Sequence, residues 1–239
     1  MIVLRCTQHK TIFYMKTLVK LIVLCITTVC LGQNAIEKTI GEFSELKVYD
    51  LIEVELIKSD DNKIEITGKN ASDVIINNKN GTLKIKMTFE EAFDGNKTKV
   101  ILHYTNIDVI DANEGSNIYA KDVIKQFEID LNAQEGAVID ARLDVKYVNI
   151  RSVTGGNITA SGTAKYQDIS IFTGGKYNGK TLITQHTEVS IRAAGEAYVN
   201  TSKKVDAKVR AGGTIYIYGN PDQVKESRVL GGQIKRMED

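Results

Sequence analysis

The sequence predicts an all-β fold, a β-solenoid with coils of about twenty residues, and three observations predict it. Glycine returns at nearly constant spacing: Gly115, Gly136, Gly156, Gly175, Gly195, Gly213 and Gly232 lie 21, 20, 19, 20, 18 and 19 residues apart. Each is followed by short runs that alternate apolar and polar residues, such as Asn117-Ile118-Tyr119-Ala120, Asn157-Ile158-Thr159-Ala160 and Thr214-Ile215-Tyr216-Ile217-Tyr218. Period two with β-branched residues marks half-buried strands. Composition is the third: hydrophobic residues make up 42% but aromatics only 7%, with no tryptophan and one proline. Such a chain builds its core from Val, Ile, Leu and Ala, which suits thin layers of pleated strands.

Taken in order, residues 1–32 read as a secretory leader whose true start is Met15. Lys16 and Lys20 precede an apolar run from Leu21 to Leu31, too short to span a bilayer comfortably, and cleavage is expected after Gly32. Cys6, Cys25 and Cys30 all fall in or before this segment. The mature chain then offers no disulfide, thiolate nucleophile or Cys-ligated metal site, and no cofactor is expected. Beyond the leader 27 basic side chains face 30 acidic ones, a net charge of −3 without a basic block, which gives nucleic-acid binding no support. No later apolar run is long enough for a transmembrane segment. The expected setting is extracytoplasmic: periplasm, outer surface or secreted.

Residues 33–104 form a strand-rich but less regular part. Leu46-Lys47-Val48, Ile52 to Leu56, Lys63 to Ile66, Thr82 to Met87 and Val100 to Tyr104 alternate, and Asn80-Gly81 signals a hairpin because both residues tolerate positive φ. The acidic turns Ser59 to Asn62 and Glu90 to Asn96 lack calcium-loop spacing, and His103 and His186 lack a second ligand nearby in the sequence, so no metal site is expected.

Residues 105–239 hold the regular coils and a C-terminal cap. Aligned on the glycines, one inward column reads Ile110, Leu131, Ser152, Ile171, Ile191, Val209, and a small-residue inward column reads Ala112, Ala133, Thr154, Thr173, Ala193, Ala211. Asp111, Asn132, Val153, Phe172, Arg192 and Arg210 should face out between them. Each coil is expected to contain three short strands joined by turns, with glycine at a sharp corner where a side chain would strike the next coil. The charged ending Gly231 to Arg236 discourages end-to-end pairing.

The motifs Gly115-Ser116-Asn117-Ile118, Gly155-Gly156-Asn157-Ile158, Gly212-Gly213-Thr214-Ile215 and Gly231-Gly232-Gln233-Ile234 follow an opening with Phe43-Ser44-Glu45-Leu46-Lys47-Val48. This pattern resembles the GIN-domain family, described as auto-transporter adhesin head domains and common in Bacteroidetes. The resemblance spans about residues 36–234. It implies a right-handed parallel β-helix and an extracytoplasmic setting, and supplies no catalytic residues.

The reading that follows is a non-catalytic, adhesin-like scaffold for a glycan, an envelope component or a protein. Tyr119, Tyr177, Tyr198, Tyr216 and Tyr218 are its candidate ligand-binding residues, since a tyrosine can stack on a sugar and hydrogen-bond at its edge. A polysaccharide-acting enzyme is the alternative, with Asp111 beside Asn132, Asp130 beside Arg151, and Asp140 as the nearest candidates; the glycine alignment shows no repeated acidic column. A self-assembling envelope protein is the third reading.

Overall fold

The structure, a computed structural model, describes residues 35–238. The expected leader and cleavage site, and the three cysteines, lie outside them. The strands are β1 (Ile36–Thr39), β2 (Glu45–Val48), β3 (Glu53–Lys58), β4 (Lys63–Gly68), β5 (Val74–Lys79), β6 (Thr82–Met87), β7 (Thr98–Tyr104) and β8 (Val109–Ala112), followed by the long β9 (Asn117–Gln134), β10 (Val138–Val153), β11 (Asn157–Phe172), β12 (Lys176–Arg192) and β13 (Glu196–Arg210), then β14 (Thr214–Tyr218), β15 (Gln223–Val229) and β16 (Gln233–Arg236). From β8 onward every pairing is parallel and in sequence order, which makes a β-solenoid.

The N-terminal part is a coil system wound out of order. The coil made by β2 and β3 is stacked between β6 with β7 on one side and β8 with β9 on the other. The chain therefore enters at the second layer, doubles back to lay down the first, then crosses to the third. Antiparallel strands close this end: β1 pairs β4, β4 pairs β7 and β5 pairs β6. The Asn80-Gly81 turn joins β5 to β6 with φ of 53° and 78°, as the hairpin signal requires.

Two sequence expectations are corrected by the register. The first inward column is Ile110, Leu131, Ile150, Ile169, Val189, Ala207, and the second is Ala112, Ala133, Ser152, Ile171, Ile191, Val209. Thr154, Thr173, Ala193 and Ala211 are exposed and have positive φ. They belong to the corner, where two consecutive residues adopt left-handed backbone: Glu114-Gly115, Glu135-Gly136, Thr154-Gly155, Thr173-Gly174, Ala193-Ala194, Ala211-Gly212 and Leu230-Gly231. The spaced glycines thus mix two structural positions. Gly155 is a left-handed corner residue with open space around it, whereas Gly156 lies in the coil wall, where a Cβ would sit 2.2 Å from the Ala133 carbonyl oxygen. The outward column shifts with them: Asp111 and Asn132 stand in register with Arg151, while Val153, Phe172, Arg192 and Arg210 form the column beside it.

The coils also contain fewer breaks than expected. Each of β9 to β13 is one continuous strand of 15 to 18 residues, whose pairing is interrupted at the bends only by skipped positions and bulges. A bend shows instead as a change of phase: in β10 the inward side chains run Ile139, Ala141, Leu143, Val145 and then Val148, Ile150, Ser152. That skipped step turns the strand and leaves a concave strip on the outside.

Candidate binding flank

At this bend consecutive coils place aromatic side chains above one another. Tyr147, Tyr166 and His186 are in register on β10, β11 and β12. Tyr147 and Tyr166 stack with centroids 4.9 Å apart and planes 10° apart, and Tyr166 stacks on His186 at 4.9 Å and 14°. Phe127 of β9 adds a tilted ring 5.3 Å from Tyr147. Since coils rise by roughly 4.8 Å, outward rings at one position fall at stacking distance without further adjustment.

Two residues along each strand runs a second outward column: Asp130, Asn149, Asp168, Glu188 and Asp206, continued by Lys225. This is a repeated acidic column, contrary to the expectation from the glycine alignment. Asn149 interrupts it and donates its amide to Asp130 Oδ1 at 2.7 Å and Glu128 Oε1 at 3.0 Å. Asp206 is flanked by Lys208 at 3.2 Å and Lys225 at 3.7 Å. Desolvation, and then the neighbouring Glu188, raise the Asp168 carboxyl above its ordinary range, while Lys208 works the other way.

Between the two columns lies a groove of about 390 Å³ with Val148, Gln167 and Thr187 in its floor. Gln167 and Thr187 are buried and tied together, Gln167 Nε2 donating to Thr187 Oγ1 at 2.7 Å. The groove presents phenol and imidazole edges on one wall and carboxylates on the other. The ring faces are occupied by one another, so a ligand meets hydroxyls, ring edges and acceptors.

The five tyrosines expected to bind ligand are divided by the structure. Tyr119, Tyr198 and Tyr216 share one outward column, with Asp140, Thr159 and Asn178 between Tyr119 and Tyr198. Four coil steps, roughly 19 Å, therefore separate Tyr119 from the pair. Tyr198 and Tyr216 stack at 4.5 Å and 7°, and the Lys235 ammonium lies 5.3 Å from the Tyr216 ring. Tyr218 is 9% exposed with Lys180 4.5 Å from its ring. Tyr177 is wholly inside the coil, its hydroxyl donating to Gln167 Oε1 at 3.0 Å, and burial raises its ionisation well above the usual phenol range. It has no face to offer a ligand.

The residues considered for hydrolysis also separate. Asp130 pairs with Asn149, while Arg151 stands beside Asn132 and over Phe172 at 5.8 Å. Asp111 receives the Lys47 ammonium at 3.2 Å. Among the described residues no group of three His, Cys, Asp or Glu side chains is placed to hold a metal ion, and no helix is long and apolar enough to cross a membrane.

Solved structures share the fold, among them three bacterial proteins. The crystal structure of a "putative adhesin" from Bacteroides fragilis NCTC 9343 matches with a TM-score of 0.79 at 18% identity, over 85% of this chain and 96% of that one. A "putative adhesin" from Parabacteroides merdae ATCC 43184 matches with a TM-score of 0.66 at 17% identity, over 87% and 97% of the two chains. A "putative lipid binding protein" from Parabacteroides distasonis ATCC 8503 gives 0.64 at 15%, over 86% and 96%. A comparison with curated proteins returns no match. The family model described as "Putative auto-transporter adhesin, head GIN domain" matches residues 42–221, and the chain belongs to that family.

Proposed function

We propose that this protein is a non-catalytic, extracytoplasmic adhesin-like scaffold that binds a hydroxyl-rich glycan of the cell envelope along the flank groove. The observation that carries this reading is the groove itself, where three successive coils repeat an aromatic edge opposite a carboxylate or amide and a fourth sets Lys204 opposite Asp206. Carboxylates accept from sugar hydroxyls, the amide of Asn149 both donates and accepts, and the tyrosine hydroxyls do either. A repeated set of such groups suits a repeating ligand better than a single small molecule. The leader reading of residues 1–32 and the family's adhesin description support the location.

Tyr198 and Tyr216 make a second, smaller surface on another column, with Tyr119 four coil steps away on that column and Tyr218 mostly buried beside it. Stacking between Tyr198 and Tyr216 leaves less ring face for a sugar than the sequence alone suggests.

A glycan array, followed by calorimetric titration of whatever is retained, tests the reading. Tyr166→Phe keeps the stack and removes one hydroxyl, and Asn149→Ala removes the amide. Each is expected to weaken binding about tenfold, or about 1.4 kcal/mol, while Tyr198→Phe leaves it unchanged. A folded protein that retains no glycan, or an equal loss from Tyr198→Phe, sinks the proposal.

A further inference from the structure

The last coil breaks a rule that the coil before it keeps. The inward positions of β13 and β14 include Val205, Ala207, Val209, Ile215 and Ile217, each 1% exposed or less. The strands stacked on them place Val224, Glu226, Arg228, Ile234 and Arg236 at the same five positions. Three of these five are charged. Arg236 reaches across the mouth of the coil to Glu226, with Nη2 and Nε 3.1 and 3.3 Å from Oε1. Arg228 has no carboxylate partner among the described residues.

This charge stands on an open edge. Among the described strands β15 pairs only β13 and β16 pairs only β14, so the outer N–H and C=O groups of both remain available for pairing. An apolar coil with such an edge is a template for another chain. The hazard is greatest for a solenoid, whose inner coils are stabilised by this kind of stacking.

We propose that the coil from Gln223 to Arg236 is a terminator that excludes a second copy of the chain from the C-terminal end of the stack. A copy added there would cover Glu226, Arg228 and Arg236. The ion pair would lose its water and Arg228 would be buried without a counter-charge, at a cost that edge hydrogen bonds do not recover. In the free protein the same charges stay hydrated, the Arg236 side chain being 63% exposed. At the other end the parallel stack gives way to antiparallel strands, β1 on β4, β4 on β7 and β5 on β6. The terminator lies beyond residue 221, where the family match stops.

Sedimentation velocity on the full chain across a wide concentration series tests this. The unaltered protein is expected to stay monomeric. Glu226→Leu with Arg228→Val and Arg236→Ile should give a mass that rises with concentration to dimers or longer stacks. The swapped pair Glu226→Arg with Arg236→Glu, which keeps charges in the mouth, should remain monomeric. A triple variant that keeps its β-sheet circular dichroism and stays monomeric overturns the proposal. So does a triple variant that loses that spectrum, since the charges would then serve folding rather than exclusion, and so do oligomers of the unaltered protein equal to those of the triple variant.

Discussion

Tyr166 and His186 lie face to face with ring centroids 4.9 Å apart, although twenty residues separate them in the chain, because one coil of the solenoid returns each strand position to the level above. Tyr166 is the middle ring of the ladder, stacked on Tyr147 below and His186 above. Tyr166→Ala should therefore cost two ring contacts, about 1–3 kcal/mol in total. Tyr147→Ala removes a stack and a tilted contact, and His186→Ala a single stack. Urea midpoints should rank His186→Ala as the mildest. Equal losses at all three positions would mean that the rings do not support one another.

The spacing behind that ladder is present in the sequence, and the reason it is hard to read there is physical. Corner glycines fix the level of the strand that follows them, but coils differ in length by one or two residues. The structure absorbs the differences at bulges between Asp140 and Arg142, between Thr159 and Ser161, and around Gly179 to Ile183. Register counted from the glycines therefore slips by one between Gly136 and Gly156, where the aligned glycine changes from the corner to the coil wall, and drifts further by the second bend, where Tyr147, Tyr166, His186 and the acidic column sit. Coil period, strand content and the family motif were legible because they need no exact count. The out-of-order stacking of β2 and β3 was not, since β-alternation says nothing about which layer a strand joins.

The two glycines of a corner should respond differently to alanine. At Gly155 a Cβ meets nothing within 4 Å, so Gly155→Ala pays only for left-handed backbone, about 1 kcal/mol. Ala194 already occupies the equivalent position with φ of 65°, and Ala194→Gly should gain up to about 1 kcal/mol. At Gly156 the added carbon would lie 2.2 Å from the Ala133 carbonyl oxygen and 2.5 Å from its carbon, and both are main chain in the coil below. Neither can swing away, so Gly156→Ala should cost about 3 kcal/mol. Matching denaturation midpoints for Gly155→Ala and Gly156→Ala would refute this division of roles.

Acidity gives an independent check on the groove. Desolvation, with Glu188 beside it, raises the Asp168 carboxyl above the 3.8 of an ordinary aspartate. The native state then holds that proton more tightly than the unfolded chain. The resulting stabilisation is complete below pH 3.8 and is lost as pH rises through the higher native value. Asp168→Asn should accordingly raise the urea midpoint at pH 7 and lose that advantage at pH 3. A variant no more stable than the parent at pH 7 would show that the carboxylate is already compensated in the groove.

Tyr177 is where sequence and structure part most clearly, and the reason was written two residues away. In earlier coils this column holds Ile118, Ile139 and Ile158, each followed two residues later by Ala120, Ala141 or Ala160. With tyrosine in the isoleucine position the alanine gives way to Gly179, where a Cβ would fall 2.5 Å from the Tyr177 hydroxyl. The ring thus points inward, and its hydroxyl must find a partner in the core. It donates to Gln167 Oε1 at 3.0 Å, while Gln167 Nε2 reaches Thr187 and Thr184 at 2.7 and 3.3 Å. Thr184 in turn contacts Thr201 at 3.0 Å, so the network links three successive coils. Tyr177→Phe leaves a buried carbonyl oxygen without its donor and should cost about 1–3 kcal/mol. Gln167→Leu strands the tyrosine hydroxyl and should cost a similar amount. The double variant removes both partners and should lose less than the two single losses together, because nothing is left unpaired at that contact. A double-mutant cycle by urea denaturation measures the coupling. Strict additivity would mean that the hydroxyl and the amide are each satisfied elsewhere, and that the polar network plays no part in holding these coils in register.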